Sequence, residues 1–344
     1  MISEWKKFGL DKWEYGANFY PSNAINQLEM WQEETFSPEL IDRELSFAAG
    51  IGMNIMRVYL HDLLFDADAD GFLKRMEKFL EISSAHGMKI IFVFFDDCWK
   101  SEFKLGKQPD PQPFTHNSGW IQSPGAKATA DLQQYPRLER YIRTVVRHFA
   151  DDRRILMWDL YNEPGNGESG DNILKDDYPK AASLQLLKAA FSWARAEHPI
   201  QPLSSGIWCW GDIMDELIKV QLAESDVVSF HCYGKPEVLS ERIQTMRFLA
   251  GGRPVICTEF MARTAGSTFA GSFPLFEYFG CPAICWGLVK GKSNTTYPWK
   301  WNKEKGIPPI PFHDVFNPDG SLLCPDEQAV FDQYRETKKS TVSD

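Results

Sequence analysis

Residues 155–166 read ILMWDLYNEPGN, an apolar run that leads straight into an amide, a carboxylic acid and a proline. The apolar part is long enough for a buried strand. Proline cannot donate to a ladder, and glutamate avoids burial unless it has a partner, so Asn162-Glu163-Pro164 reads as a strand end facing a cavity. The stretch is one of eight similar ones. WEYGANFY (13–20), NIMRVYL (54–60), KIIFVFF (89–95), PLSSGIW (202–208), VVSFHCY (227–233), PVICTEF (254–260) and PAICWGL (282–288) join ILMWDLY (155–161). They are apolar nearly throughout, as strands covered on both faces are. Between them lie amphipathic stretches such as PELIDRELSFAAGIG and LERYIRTVVRHFADD, with Gly50, Gly52 and Gly87 near expected helix ends.

Eight such units in 344 residues fit an α/β fold, a (β/α)8 barrel formed as a single domain over residues 1–344. A doubly wound sheet is the rival. For a dinucleotide it would need a glycine-rich phosphate turn, and the chain has no G-x-G-x-x-G, Walker A or G-x-S-x-G pattern. Two connections are long: 96–131 after the third strand and 289–325 after the eighth. They carry Trp99, Trp120, Trp299 and Trp301, and both follow the strand ends where a barrel places its site.

Charge and cysteine usage narrow the classes of function. The formal net charge is −10, which argues against nucleic acid and anionic membrane as partners. The opening MISEWKKFGL has no apolar signal segment, and no run of eighteen apolar residues follows. The expectation is a soluble cytoplasmic protein, although a trimmed signal would leave the same picture. There are seven cysteines; Cys209, Cys232, Cys257 and Cys285 lie in apolar runs and read as buried thiols. No C-x-x-C pair suggests zinc, and DADADG (66–71) lacks the distal glutamate of a calcium loop, so it reads as a solvated helix start.

The polar residues at the strand ends carry the chemistry. Arg57 sits in the second strand, Asn162 and Glu163 end the fourth, His231 and Tyr233 end the sixth, Glu259 ends the seventh, and Trp286 lies in the eighth. Polar groups in buried strands need partners, so one pocket should collect them. Two carboxyl groups in such a pocket suggest glycoside hydrolysis. At about 5 Å and an effective dielectric of about 20 they repel by roughly 3 kcal/mol, about two pKa units. Repulsion of that size would keep one of them protonated near neutral pH, with Arg57 and Tyr233 holding the other ionised. Each residue also has a structural reading: a salt-bridged strand end, a core histidine or a packed tryptophan.

This ordered set resembles the clan A glycoside hydrolases, most of all glycoside hydrolase family 5. The resemblance spans the whole expected barrel and implies a retaining double displacement on an oligosaccharide, without metal or other cofactor. It implies Glu163 as acid/base and Glu259 as nucleophile. Asn162 would bind the sugar 2-hydroxyl, Arg57 and Tyr233 would orient Glu259, His231 would bond near the acid/base, and Trp286 would floor the −1 sugar. Family members commonly carry a histidine at the end of strand three. Here that strand runs into FFDDCW, so Asp96, Asp97 or His116 from the long loop would make the usual sugar contact, beside Trp99 and Trp120. PSNAINQLEMW (21–31) and HNSGWIQSPG (116–125) are similar to a bacterial branch with β-mannosidases of the N-glycan core. That implies an exo-acting β-mannosidase; an endo-β-1,4-glycanase and a non-catalytic sugar-binding barrel are the alternatives.

Overall fold

The computed structural model describes residues 5–8, 10, 13–167, 180–208 and 215–340. Eight strands occur: β1 (Tyr15–Asn18), β2 (Ile55–Tyr59), β3 (Lys89–Asp96), β4 (Ile155–Asn162), β5 (Leu203–Gly206), β6 (Val228–His231), β7 (Val255–Phe260) and β8 (Ala283–Trp286). All paired strands run parallel, in the order β5-β4-β3-β2-β1-β8-β7-β6. Beyond β5, Ile207 bridges to Phe230. Its N–H donates to the Ser229 carbonyl at 3.0 Å, and its carbonyl accepts from the His231 N–H at 2.9 Å, which closes the ring. The fold is the expected (β/α)8 barrel.

Each apolar run contains one strand, and helices fill the intervals. The helix Ala69–Ala85 begins in DADADG, where Asp68 caps it by accepting from the Gly71 N–H at 2.9 Å. Three described helices have proline in the first turn, Pro38–Gly50, Tyr135–His148 and, last, Pro236–Ala250. The last ends on Gly251 at φ 60°, a left-handed conformation that favours glycine.

The barrel interior changes character along its axis. At the N-terminal end Ile55, Ile91, Met157, Ile256 and Ile284 fill it, with Trp5 and Leu10 packed against them. Further up, Asn18, Arg57, Asp159, Ser204, Ser229 and Thr258 are buried instead. Their polar atoms find one another: Asn18 Nδ2 donates to the Thr258 and Cys285 carbonyls, and Ser204 Oγ meets Ser229 Oγ at 2.8 Å. Cys98, Cys232, Cys257, Cys281 and Cys285 are buried free thiols; Cys209 lies outside the described residues. No helix among the described residues is long and apolar enough to cross a membrane.

The two long connections meet over the C-terminal face. Asn294 Nδ2 donates to the Gln112 carbonyl at 2.9 Å, His116 Nδ1 meets the Tyr297 carbonyl at 2.6 Å, and Phe114 packs on Tyr297. Behind them Arg263 anchors the second connection. Its guanidinium donates to the carbonyls of Pro311, His313 and Asp314 and to both oxygens of Glu327. Removing one partner of a buried ion pair costs about 3–5 kcal/mol. Arg263→Ala should therefore lower the urea midpoint by a corresponding amount. A midpoint equal to wild type would mean that the connection is held by other contacts.

Candidate active site

Arg57, on β2, is fully buried at the barrel axis. Its Nε and Nη2 both donate to Asp159 Oδ2, at 3.0 and 2.9 Å, and Nη2 also donates to Asn162 Oδ1 at 2.6 Å. Nη1 donates to Asn18 Oδ1 at 2.9 Å, to the Tyr59 hydroxyl at 2.6 Å and to Glu259 Oε1 at 2.9 Å. Burial alone would lower the affinity of this guanidinium for its proton. Tyr59, Asp159 and Glu259 more than reverse that, so its pKa rises well above the usual value. Glu259 takes further bonds from Tyr59 at 3.0 Å on Oε1 and from Tyr233 at 2.8 Å on Oε2. Both phenols are buried against acidic groups, which pushes them up and keeps them as O–H donors.

Glu163 follows the last residue of β4 at φ 45°, a left-handed conformation strained for a side chain of this kind. Its carboxyl is held by three partners. Oε1 lies 2.5 Å from His231 Nδ1; Oε2 accepts from Asn166 Nδ2 at 2.5 Å and from the Cys98 thiol at 3.1 Å. His231 can lie here because residue 206 is glycine: a Cβ there would come 2.8 Å from His231 Nε2. An oxygen of Glu163, one of Glu259 and a ring nitrogen of His231 all lie within 4.8 Å of one another.

The charge-repulsion expectation needs correction at this point. Burial raises the Glu163 pKa, but the hydrogen bond and charge of His231, with Cys98 and Asn166 behind it, lower it further, and the net direction is down. The His231–Glu163 contact joins two atoms that both accept unless one carries hydrogen, so a proton is held between them. The same three side chains include potential metal ligands. Glu259, however, already accepts from Arg57, Tyr59 and Tyr233, which take up three of the roughly four lone-pair sites of its carboxylate.

A cavity of about 660 Å³ opens over the carboxyl pair. Glu163, Glu259, Asn162, His231, Tyr233 and Trp286 line it, with Trp99 and His116 from the first long connection and Trp299 and Trp301 from the second. Its size suits a small ligand. Three expected sugar contacts are not in its wall. Asp97 is spent behind it, accepting from the Tyr161 and Ser183 hydroxyls and the Gly165 N–H. Asp96 accepts from Asn162, the Cys98 N–H and Trp120 Nε1. Trp120 is buried between Tyr59 and Trp286, so it supports the floor.

Five partners escaped the sequence reading. Tyr59 and Asp159 carried a signal: Tyr59 lies two residues past Arg57 on the same strand face, and Asp159 is a charge inside an apolar strand. Asn18, Cys98 and Asn166 carried none, because only the fold brings them to Arg57 and Glu163.

No protein-family model matches the chain, and no curated protein does. Solved structures do. A variant of GH5_18 from Streptomyces cattleya, in complex with Manβ1-4GlcNAc, superposes with a TM-score of 0.64 at 13% identity, covering 94% of this chain and 80% of that one. The exo-β-1,4-mannosidase Op5Man5 from Opitutaceae bacterium strain TAV5 gives 0.60 at 18% identity, covering 94% and 60%. The endo-1,4-β-D-mannanase of Thermotoga petrophila RKU-1 gives 0.58 at 12% identity, covering 95% and 99%. The likeness is one of fold.

Burial raises Asp96 from 3.8 to about 7, against the bonds from Asn162, Trp120 and Cys98. Between those values the folded chain keeps a proton that the unfolded chain has released. The stability from this group is thus complete at acid pH and lost as pH rises through about 7. Glu44, also raised to about 7, and Asp314, to about 6, act in the same sense. Asp96→Asn should flatten the fall in unfolding free energy between about pH 4 and 7, by at most about 1.4 kcal/mol per pH unit. Urea titrations with the wild-type slope would remove Asp96 from the account.

Proposed function

We propose that the chain is a retaining β-glycoside hydrolase that removes single β-1,4-linked mannose units from short oligosaccharides. One observation carries the chemistry. Glu163 and Glu259 present oxygens within 4.8 Å of each other at one cavity. A carboxyl pair about 5–5.5 Å apart suits a covalent double displacement; inversion needs about 6.5–9.5 Å, to admit water.

The geometry then assigns the work. Glu259, oriented by Arg57 and two phenols, attacks the anomeric carbon. Glu163 in its protonated form gives that proton to the departing oxygen, and the sugar becomes an ester of Glu259. In the second step Glu163 takes a proton from water as that water displaces Glu259. Asn162, fixed by Arg57 and Asp96, faces the cavity with its amide, where it can meet the sugar 2-hydroxyl. Trp286 forms the floor of the sugar site, and the net reaction consumes one water.

The sugar and the exo mode rest on two lines of support. Two of the structural neighbours are the GH5_18 complex with Manβ1-4GlcNAc and an exo-β-1,4-mannosidase. In addition, His116, Trp99 and Trp299 are in ring contact where the two long connections clasp, which walls the cavity on that side. The endo reading has support in the fold shared with the Thermotoga mannanase.

Glu259→Gln should leave the chain folded and cut turnover by at least about four orders of magnitude, with no glycosyl-enzyme detectable by mass spectrometry; unchanged turnover would remove the nucleophile assignment. Glu163→Ala should lose most activity on poor leaving groups and recover part of it with azide. Incubated with Manβ1-4GlcNAc, the chain should release free mannose, seen first as the β anomer by NMR. Mixed short oligomers from β-1,4-mannan, with the disaccharide untouched, would favour the endo reading.

A further inference from the structure

The contacts of Cys98 are unusual for a buried thiol. It lies at the cavity wall, and its Sγ sits 3.1 Å from Glu163 Oε2. Two amides point at the same sulfur, Asn162 Nδ2 at 3.5 Å and Asn166 Nδ2 at 3.9 Å. Its own N–H donates to Asp96 Oδ1 at 2.9 Å, which fixes the backbone that carries it. Among the described residues the sulfur therefore accepts from two amides while its hydrogen is directed to the acid.

We propose that the Cys98 thiol is a positioning residue for Glu163, holding Oε2 toward the cavity by a bond weak enough to leave its proton transferable. The proposal rests on Glu163 being the acid/base. That role needs an oxygen that is ionised in one half of the cycle and protonated in the other. A hydroxyl in place of the thiol would donate strongly and favour the ionised form throughout; a methyl would take away one of the two donors described on Oε2, leaving Asn166 Nδ2. A thiol donates weakly and accepts weakly, so it meets the charged form and resists the protonated form little. Burial and the neighbouring Glu163 and Asp96 charges keep it a thiol, which preserves the hydrogen it donates.

The experiment is the pH profile of kcat/KM for wild type, Cys98→Ser and Cys98→Ala, on an aryl β-mannoside with a poor leaving group and on its dinitrophenyl counterpart. On the poor leaving group the basic limb should move down in Cys98→Ser and up in Cys98→Ala, each by about half a unit to one unit. On the dinitrophenyl substrate, which needs little acid assistance, the two variants should show the wild-type limb. A merely structural cysteine would shift both variants the same way, or neither, and either result overturns the proposal. Should a variant fail to fold, the wild-type chain still decides: its S–H stretching band should shift across the basic limb, and a fixed band counts against the contact. Glu163→Ala with equal losses on both substrates would instead overturn the acid assignment itself, so the two failures read differently.

Discussion

The structure depends on a guanidinium with no access to water. Arg57 lies on the barrel axis, and its charge is balanced inside the protein by Asp159 and Glu259. Taking those ions out of water costs several kcal/mol each, so the pair does not explain why the fold is stable. It explains why the strand ends have one arrangement. Arg57 draws on Asn18 from β1, Tyr59 from β2, Asp159 and Asn162 from β4 and Glu259 from β7. Shifting any of these strands by one residue would leave a buried charge or donor unmet, a penalty larger than most packing differences. The register of half the barrel and the position of Glu259 are therefore fixed by the same atoms.

The two carboxyl groups sit close together in different surroundings. Glu259 faces a permanent charge and two phenols that do not release their protons near neutral pH. Glu163 faces an imidazole, a thiol and an amide N–H. Simple repulsion between two acids treats them as equivalent and misses this. The contrast in partners is what the proposed division of roles between the two carboxyl groups rests on.

Much of the barrel was legible because strands buried on both faces leave long apolar runs, and the polar residues that end them stand out. The partners were less legible. Glu163, Glu259, His231 and Tyr233 interrupt such runs and announce themselves; Cys98 and Asn166 lie in loops, where sequence carries no period. Asp96 and Asp97 show the limit of reasoning by replacement. A missing histidine suggested that an adjacent acid fills its place. In the fold one acid holds Asn162 and the other ties down Tyr161, Ser183 and Gly165. Trp120 likewise looks like a sugar platform in sequence, and is packed beneath Trp286.

Backbone strain points to the same face of the barrel as the chemistry. Nine described residues other than glycine have positive φ, and six of them, Trp99, Phe114, Asn117, Asn294, Lys300 and Asp314, lie in the two long connections. Glu163 and Met261, just past β4 and β7, make eight on the C-terminal side; only His198 lies on the other. Each such conformation costs of order 1 kcal/mol or more, and persists only where surrounding contacts determine it. Here those contacts are visible: Asn294 on Gln112, Asp314 on Thr295, His116 on Tyr297, and Arg263 beneath. Loops serving only as connectors would have relaxed to cheaper conformations. That these are held in costly ones, with Trp99 and Trp299 turned to the cavity, argues that their shape serves the cavity they wall.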